Sequence, residues 1–335
     1  MSSPDALIPP VSADHPVDIE VTDVARSFGE VHAVRQVSFE ARAGEVTGLV
    51  GPNGSGKTTL LLMLATLLVP DRGTIRIGGH DPVAEAAEVR RVLGWMPDVL
   101  GAWPNLTVRR SLELTARLYD LPRPAAADRA SELIELVDLA ELADQPTRVL
   151  SRGQKQRLSL ARALVHDPRV LLLDEPASGL DPGARIALRV LLRRLAAEGR
   201  TILVSSHVLA ELDDLADRAV FLDAGRSVSA ERVQAAQRTE RGWRIRALDS
   251  QGLYRALVES GIDAARIQTE PQGLVVPLAG DDHAAELLAG LVRAGIPVVS
   301  FAPAVGDLEH TFLDLSSGSG ERAGDDLRPE GEADR

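Results

Sequence analysis

The run Gly51-Pro52-Asn53-Gly54-Ser55-Gly56-Lys57-Thr58-Thr59 constrains this chain more than any other stretch. It fits G-x-x-x-x-G-K-[ST], a pattern that carries meaning only between a strand and a helix. Both flanks are present. Val46 to Val50 is a short apolar run that reads as a buried strand, and Thr58 to Leu68 reads as a helix. A strand that enters a glycine turn and leaves as a helix directs the chain to an α/β architecture. The glycines let backbone N–H groups turn inward toward an anion, and the helix N-terminus adds the positive end of its dipole. Lys57 is one of only two lysines, Lys155 being the other, so arginine serves wherever a generic cation will do. A compact ammonium on a flexible stem reaches between two phosphates, whereas a guanidinium is bulkier and presents a fixed fork.

A second signal lies downstream. Arg169-Val-Leu-Leu-Leu-Asp174-Glu175 is an apolar strand ending in two adjacent carboxylates. Beside a phosphate loop, Asp174 and the Thr58 hydroxyl suit Mg²⁺, and Glu175 is placed to accept a proton from an attacking water. Without the loop, the pair would read equally well as solvated acids at a strand end.

Segments that alternate strand-like and helix-like patterns run from residue 17 to about 230, and predict a mainly parallel sheet. Leu106 to Leu142 is helical by pattern, with Thr107 as a helix cap. Residues 231–242 read as a helical linker. Residues 243–315 follow the order βαββαβ, which predicts a small ferredoxin-like α+β domain. Residues 1–16 read as a disordered leader and 316–335, rich in Ser, Gly, Glu, Asp and Arg, as a disordered tail.

Composition narrows the function classes. Acidic residues number 49 against 37 basic ones, for a formal charge of −12, which argues against a nucleic-acid partner. The absence of cysteine removes disulfides, cysteine zinc sites and thiol chemistry. His15, His32, His80, His166, His283 and His310 show no metal-ligand spacing and read as structural or surface residues. The longest mainly apolar run, Leu60 to Val69, is too short to span a bilayer.

Several ordered motifs carry a family resemblance over about residues 17–230. Leu150-Ser151-Arg152-Gly153-Gln154 resembles the L-S-G-G-Q signature of ATP-binding cassette (ABC) ATPases, and it precedes the Asp174-Glu175 pair as in that family. Ser178-Gly179-Leu180-Asp181 resembles the D-loop, His207 the switch histidine, and Phe28 the aromatic that stacks on adenine. Each has a plainer reading: Asp181-Pro182 and Ser151 as helix starts, His207 as a polar strand end, Phe28 as core. The resemblance implies a P-loop ABC ATPase domain with a mainly parallel core sheet, an antiparallel β subdomain and a helical signature subdomain at about 97–155. It implies ATP and Mg²⁺ as cofactors, with residues 51–59, Asp98, Ser151, Gly153, Gln154 and Asp181 at the nucleotide, and Thr58, Asp98 and Asp174 toward the metal. Lys57, Glu175 and His207 take the chemical roles.

Two positions depart from the family pattern. Asp98 stands where the Q-loop usually has glutamine, and Arg152 where the signature has its first glycine. The expectation for Arg152 is a charge near the γ-phosphate across a closed dimer. One phosphate loop and one signature per chain imply a homodimer, or a heterodimer with a second ABC ATPase, on the cytoplasmic face of a membrane. A separate polytopic permease would supply the spans. The Trp95-Met96-Pro97-Asp98 segment, the signature and the C-terminal domain most resemble export systems with an ABC-2-type permease. The alternative is a soluble regulatory, DNA-associated or ribosome-associated ABC ATPase.

Overall fold

The computed structural model describes residues 15–99, 101, 103–237 and 239–320. Residues 1–14 of the expected leader and 321–335 of the expected tail lie outside the described residues. The chain divides into two compact units, Met1–Val208 with Asp214–Ser227, and Leu209–Asp213 with Val228–Arg335.

In the first unit, β1 (Val17–Phe28) and β2 (Val31–Arg42) form an antiparallel hairpin, followed by β3 (Val46–Val50), α1 (Lys57–Leu64) and β4 (Arg72–Ile77). Next come α2 (Ala86–Val92), β5 (Leu93–Met96), α3 (Val108–Leu118), α4 (Arg123–Leu136) and α5 (Arg152–Ala163). The chain returns to the sheet through β6 (Val170–Asp174), α6 (Pro182–Ala197) and β7 (Thr201–Ser205). A short helix, α7 (Leu209–Asp213), belongs to the second unit, and β8 (Arg218–Asp223) and β9 (Arg226–Ser227) complete the first. The nine strands run in the order β4-β1-β2-β9-β8-β3-β7-β6-β5.

The segment β8-β3-β7-β6-β5 is parallel throughout. Every residue of β3, β6 and β7 is buried. That is why these strands read as continuous apolar runs rather than alternating ones: helices cover both faces. β1, β2 and β4 pair antiparallel and form the β subdomain. Buried Asp18 on β1 accepts from Thr201 Oγ1 at 2.6 Å and pairs with Arg169, which ties this subdomain to the parallel core.

The helical block is α3, α4 and α5. Thr107 caps α3 by accepting from the Arg110 N–H at 3.1 Å. Ser151 caps α5 in a reciprocal capping box with Gln154, and Asp181 caps α6, with Pro182 at its first position.

The second unit continues with α8 (Ala230–Gln237), β10 (Arg241–Ala247), α9 (Ser250–Glu259), β11 (Gln268–Glu270), β12 (Gly273–Leu278), α10 (Gly280–Arg293), β13 (Val298–Pro303) and α11 (Asp307–Gly320). Its four strands are antiparallel in the order β11-β12-β10-β13, two interleaved split β–α–β units. Alternating Trp243, Ile245 and Ala247 face a core shared with Leu253, Leu257, Val276, Leu287 and Leu291. The last helix runs through 316–320, the first residues of the segment expected to be a tail. Among the described residues no helix is long and apolar enough to cross a membrane.

Candidate active site

Three parallel strands deliver the site at their carboxyl ends: β3 opens into the glycine loop, β6 ends in Asp174-Glu175, and β7 ends in Ser205-Ser206-His207. The loop closes tightly onto β2. Gly56 has φ 100°, and a Cβ there would fall 2.5 Å from the Ala33 carbonyl oxygen, so only glycine starts α1 at this point.

Lys57 is buried, and its Nζ donates to the carbonyl oxygens of Gly51 at 2.6 Å and Pro52 at 3.1 Å. Burial lowers its pKa, while the charges of Glu175 and Asp174 pull the other way. Asp174 accepts from Ser205 Oγ at 2.6 Å and from Thr58 Oγ1 at 3.4 Å. Burial is the main cause of its raised pKa, and the nearby carboxylates of Glu175 and Asp98 add to the rise. A buried carboxylate with two more acids near it favours a cationic guest.

Glu175 is fixed from all sides. Its backbone N–H donates to Ser205 O at 3.2 Å and Oγ at 3.1 Å, and its carbonyl accepts from Gln156 Nε2 at 2.9 Å. Its φ of 53° is unusual for a side-chain-bearing residue and is held by those bonds. His207 Nδ1 lies 2.6 Å from Glu175 Oε2. An ionised carboxylate only accepts, so Nδ1 carries the proton and Nε2 is the ring's other polar atom.

Asn53, Gly54, Gly56, Lys57, Thr58, Thr59, Asp98, Asp174, Glu175 and His207 line one cleft. Gly51 and Pro52 meet Lys57 from the loop side, and Ser55 is buried beneath it. Phe28 is exposed at the end of β1 with the Arg26 guanidinium 5.1 Å from its ring centre, so it is not core. Ser151, Gly153, Gln154 and Asp181 are not among the residues that line this cleft.

Other residues of the cleft and its support had no signal in the sequence. His32 lines the cleft and shares a 2.8 Å hydrogen bond with Ser27 Oγ; only the β1–β2 register, which pairs Ser27 with His32, puts it there. Ser205 and Gln156 hold the acid pair from behind. In the single chain the Arg152 guanidinium donates to Ser178 Oγ at 2.9 Å and borders its own cleft.

The comparisons with known proteins agree with this geometry. A family model described as ABC transporter matches residues 34–178. Over 316 residues the chain is 35% identical to the daunorubicin resistance ATP-binding protein DrrA3 of Streptomyces coeruleorubidus, covering 92% of this chain and 97% of that one. The chain belongs to the ABC transporter ATP-binding proteins. It is also 42% identical over 211 residues to the Nod factor export ATP-binding protein I of Burkholderia lata, covering 63% of this chain and 69% of that one. A solved dimer of the ATP-binding cassette MJ0796, in a post-hydrolysis state with ADP and Pi, matches with a TM-score of 0.58 at 26% identity, covering 63% of this chain and 97% of that one. This ABC protein is an ATPase: it binds and hydrolyses ATP to drive transport.

Proposed function

We propose that this ABC ATPase works as half of a head-to-tail pair, exporting a substrate through a separate polytopic permease on the cytoplasmic face of a membrane. One observation carries the composite site. Lys57, Asp174, Glu175 and His207 share a cleft, whereas Ser151, Gly153, Gln154 and Asp181 lie outside that lining. Arg152 alone of the signature borders this cleft, and we assign Ser151, Gly153 and Gln154 to the γ-phosphate held by the other chain. Export rests on the relatives, which are named for Nod factor export and for drug resistance.

Each residue has a role set by its position. Lys57 exchanges its carbonyl partners for β- and γ-phosphate oxygens. The backbone N–H groups of the loop hold the same phosphates. Glu175 takes a proton from the attacking water, and His207 steadies its carboxylate. Catalysis is then positioning and charge stabilisation. Phe28 offers an exposed face for the adenine ring. Among the described residues no group of three His, Cys, Asp or Glu side chains could hold a metal by itself, and Asp98 lines the same cleft as Thr58 and Asp174. The oxygen pair of Thr58 and Asp174 instead suits Mg²⁺, which keeps water and phosphate ligands. When bound, that ion neutralises phosphate charge.

The route to the permease starts at Asp98. While Asp98 lines the nucleotide cleft, its neighbours Pro97, Val99 and Gly101 line a second cleft with Trp95, Tyr119 and Arg162. Val99 is 82% exposed there. Arg162 donates to the Gly101 carbonyl and lies 5.0 Å from the Trp103 ring centre, which fixes the segment. A cytoplasmic helix of the permease seated in this cleft would feel each change at the nucleotide.

The test is Glu175→Gln in the full chain. ATP should convert it to a stable dimer in light scattering, and turnover should fall about 10²–10⁴-fold, the scale of a lost general base. Parental turnover, or a chain that stays monomeric with ATP, refutes the composite site with Glu175 as its base.

A further inference from the structure

Helix α5 starts at the residues assigned to the partner's γ-phosphate, and its next turn holds the loop that carries this chain's own Glu175. Arg152 and Gln156 are spaced i, i+4, so they lie on one face of the helix. Gln156 is 2% exposed and donates from Nε2 to the Glu175 carbonyl at 2.9 Å. Arg152 donates from Nη2 to Ser178 Oγ at 2.9 Å. Its stem packs onto Gly179, where a Cβ would fall 2.7 Å from Arg152 Cδ and 2.8 Å from Nε. Between these two contacts, a Cβ on Gly153 would lie 3.2 Å from Leu180 Cδ2, so the helix start and the loop are closely packed.

These contacts do not serve the helix itself. The Ser151–Gln154 capping box already satisfies the start of α5. An arginine in the first turn faces the positive end of the helix dipole, a mildly unfavourable place for a cation. Its contacts with Ser178 and Gly179 give it a different purpose. Glu175 sits in a left-handed conformation that its neighbours must maintain, and Gln156 supplies one of the bonds that do so.

We propose that Arg152 and Gln156 are positioning residues that transmit occupation of the partner's nucleotide site to Glu175 of their own chain. A phosphate seated on Ser151 and Gly153 shifts the start of α5. The contacts at Ser178–Leu180 and at the Glu175 carbonyl carry that shift into the base that acts on the other ATP. Each site then fires according to the state of its neighbour. The proposal rests on the composite-site reading given above.

The experiment uses the full chain as wild type, Arg152→Gly, Arg152→Lys, Gln156→Met and the Arg152→Gly/Gln156→Met double variant. Arg152→Gly restores the usual signature residue, and Gln156→Met keeps the side-chain length without the donor. Steady-state ATPase is measured against ATP concentration, with ADP affinity by calorimetry as the control for an intact phosphate loop. The wild type should show a Hill coefficient of about 1.5–2, and Arg152→Gly and Gln156→Met should each fall toward 1. ADP affinity of Gln156→Met should stay within about twofold of wild type, because Gln156 neither belongs to the loop nor lines the cleft. The double variant should be no worse than the more affected single variant, as expected for one pathway. Arg152→Lys, which keeps a donor for Ser178, should retain part of the cooperativity. Wild-type cooperativity in Arg152→Gly and Gln156→Met overturns the proposal, as does lowered turnover with an unchanged Hill coefficient, which marks a merely structural role. A non-cooperative wild type also overturns it, yet leaves the composite site intact if Glu175→Gln still dimerises with ATP. Failure of that dimerisation is the separate result that refutes the underlying reading.

Discussion

Ser205 should prove as important to the acid pair as its motif neighbours, although it touches no phosphate in the proposed scheme. It is fully buried, its Oγ donates to Asp174 Oδ1 at 2.6 Å, and the same oxygen accepts from the Glu175 N–H at 3.1 Å. Replacement by alanine leaves the Glu175 N–H its bond to the Ser205 carbonyl but strips Asp174 of its shorter partner. A hydrogen bond to a charged group contributes about 1.5–3 kcal/mol and a neutral one about 0.5–1.5 kcal/mol. Ser205→Ala should therefore cost about 2 kcal/mol in the parental chain but only about 1 kcal/mol in an Asp174→Asn background, a coupling of about 1 kcal/mol. Differential scanning calorimetry of the four chains without nucleotide at pH 8 measures the cycle, at about 2–4 °C of Tm per kcal/mol. The sign with pH is also fixed. Burial raises the Asp174 pKa in the folded chain, so its charge penalises folding above that pKa, and the penalty fades as pH falls through it. The coupling to Ser205 should fade with it. Equal costs in the two backgrounds, within about 0.3 kcal/mol, would refute the idea that Ser205 acts through the Asp174 charge.

Two further outcomes follow from the same reading. Gly56→Ala should be destabilised by at least about 1–2 kcal/mol from its left-handed backbone alone, and the clash with Ala33 should also abolish ADP binding by calorimetry. Stability should also fall as pH drops below about 6.5, partly through His166, which stacks on Tyr119 at 3.8 Å and whose pKa burial lowers. The unfolded chain takes up that proton first, so stability is lost through the unfolded pKa, and His166→Phe should flatten the melting-temperature profile between pH 5 and 7 while keeping the stack.

What the sequence shows of this fold depends on how local the cause is. The strands β3, β6 and β7 are buried from both faces, so their apolar runs stand out without any knowledge of neighbours. The glycine loop is equally local, because its conformation is written into consecutive residues. The contact of the Arg152 guanidinium with Ser178 at 2.9 Å has no signal in the linear chain, because 26 residues separate the two. His32 read as a structural or surface histidine and is exposed, but its place in the cleft follows from a cross-strand register that the linear chain does not show. Leu209–Asp213 belongs to the second unit although it lies between β7 and β8 of the first, and no composition shift marks it.

The strand order explains why one site needs residues so far apart in sequence. β7 lies between β3 and β6, with Leu49 and Asp174 both in register with Ser205. A strand made about 150 residues after the phosphate loop is thus wedged between that loop and the acid pair. Its last residue in register supplies the hydrogen bond that holds Asp174, and two residues later His207 reaches Glu175. Had β6 paired directly with β3, the carboxylates would stand one strand nearer to Lys57, and no strand end would be left between them to carry His207. Inserting β7 opens the crevice at the carboxyl ends of the strands, where parallel α/β sheets place their ligands. The same insertion sets the polar residue that ends β7 as the spacer between the cation on one side and the anions on the other.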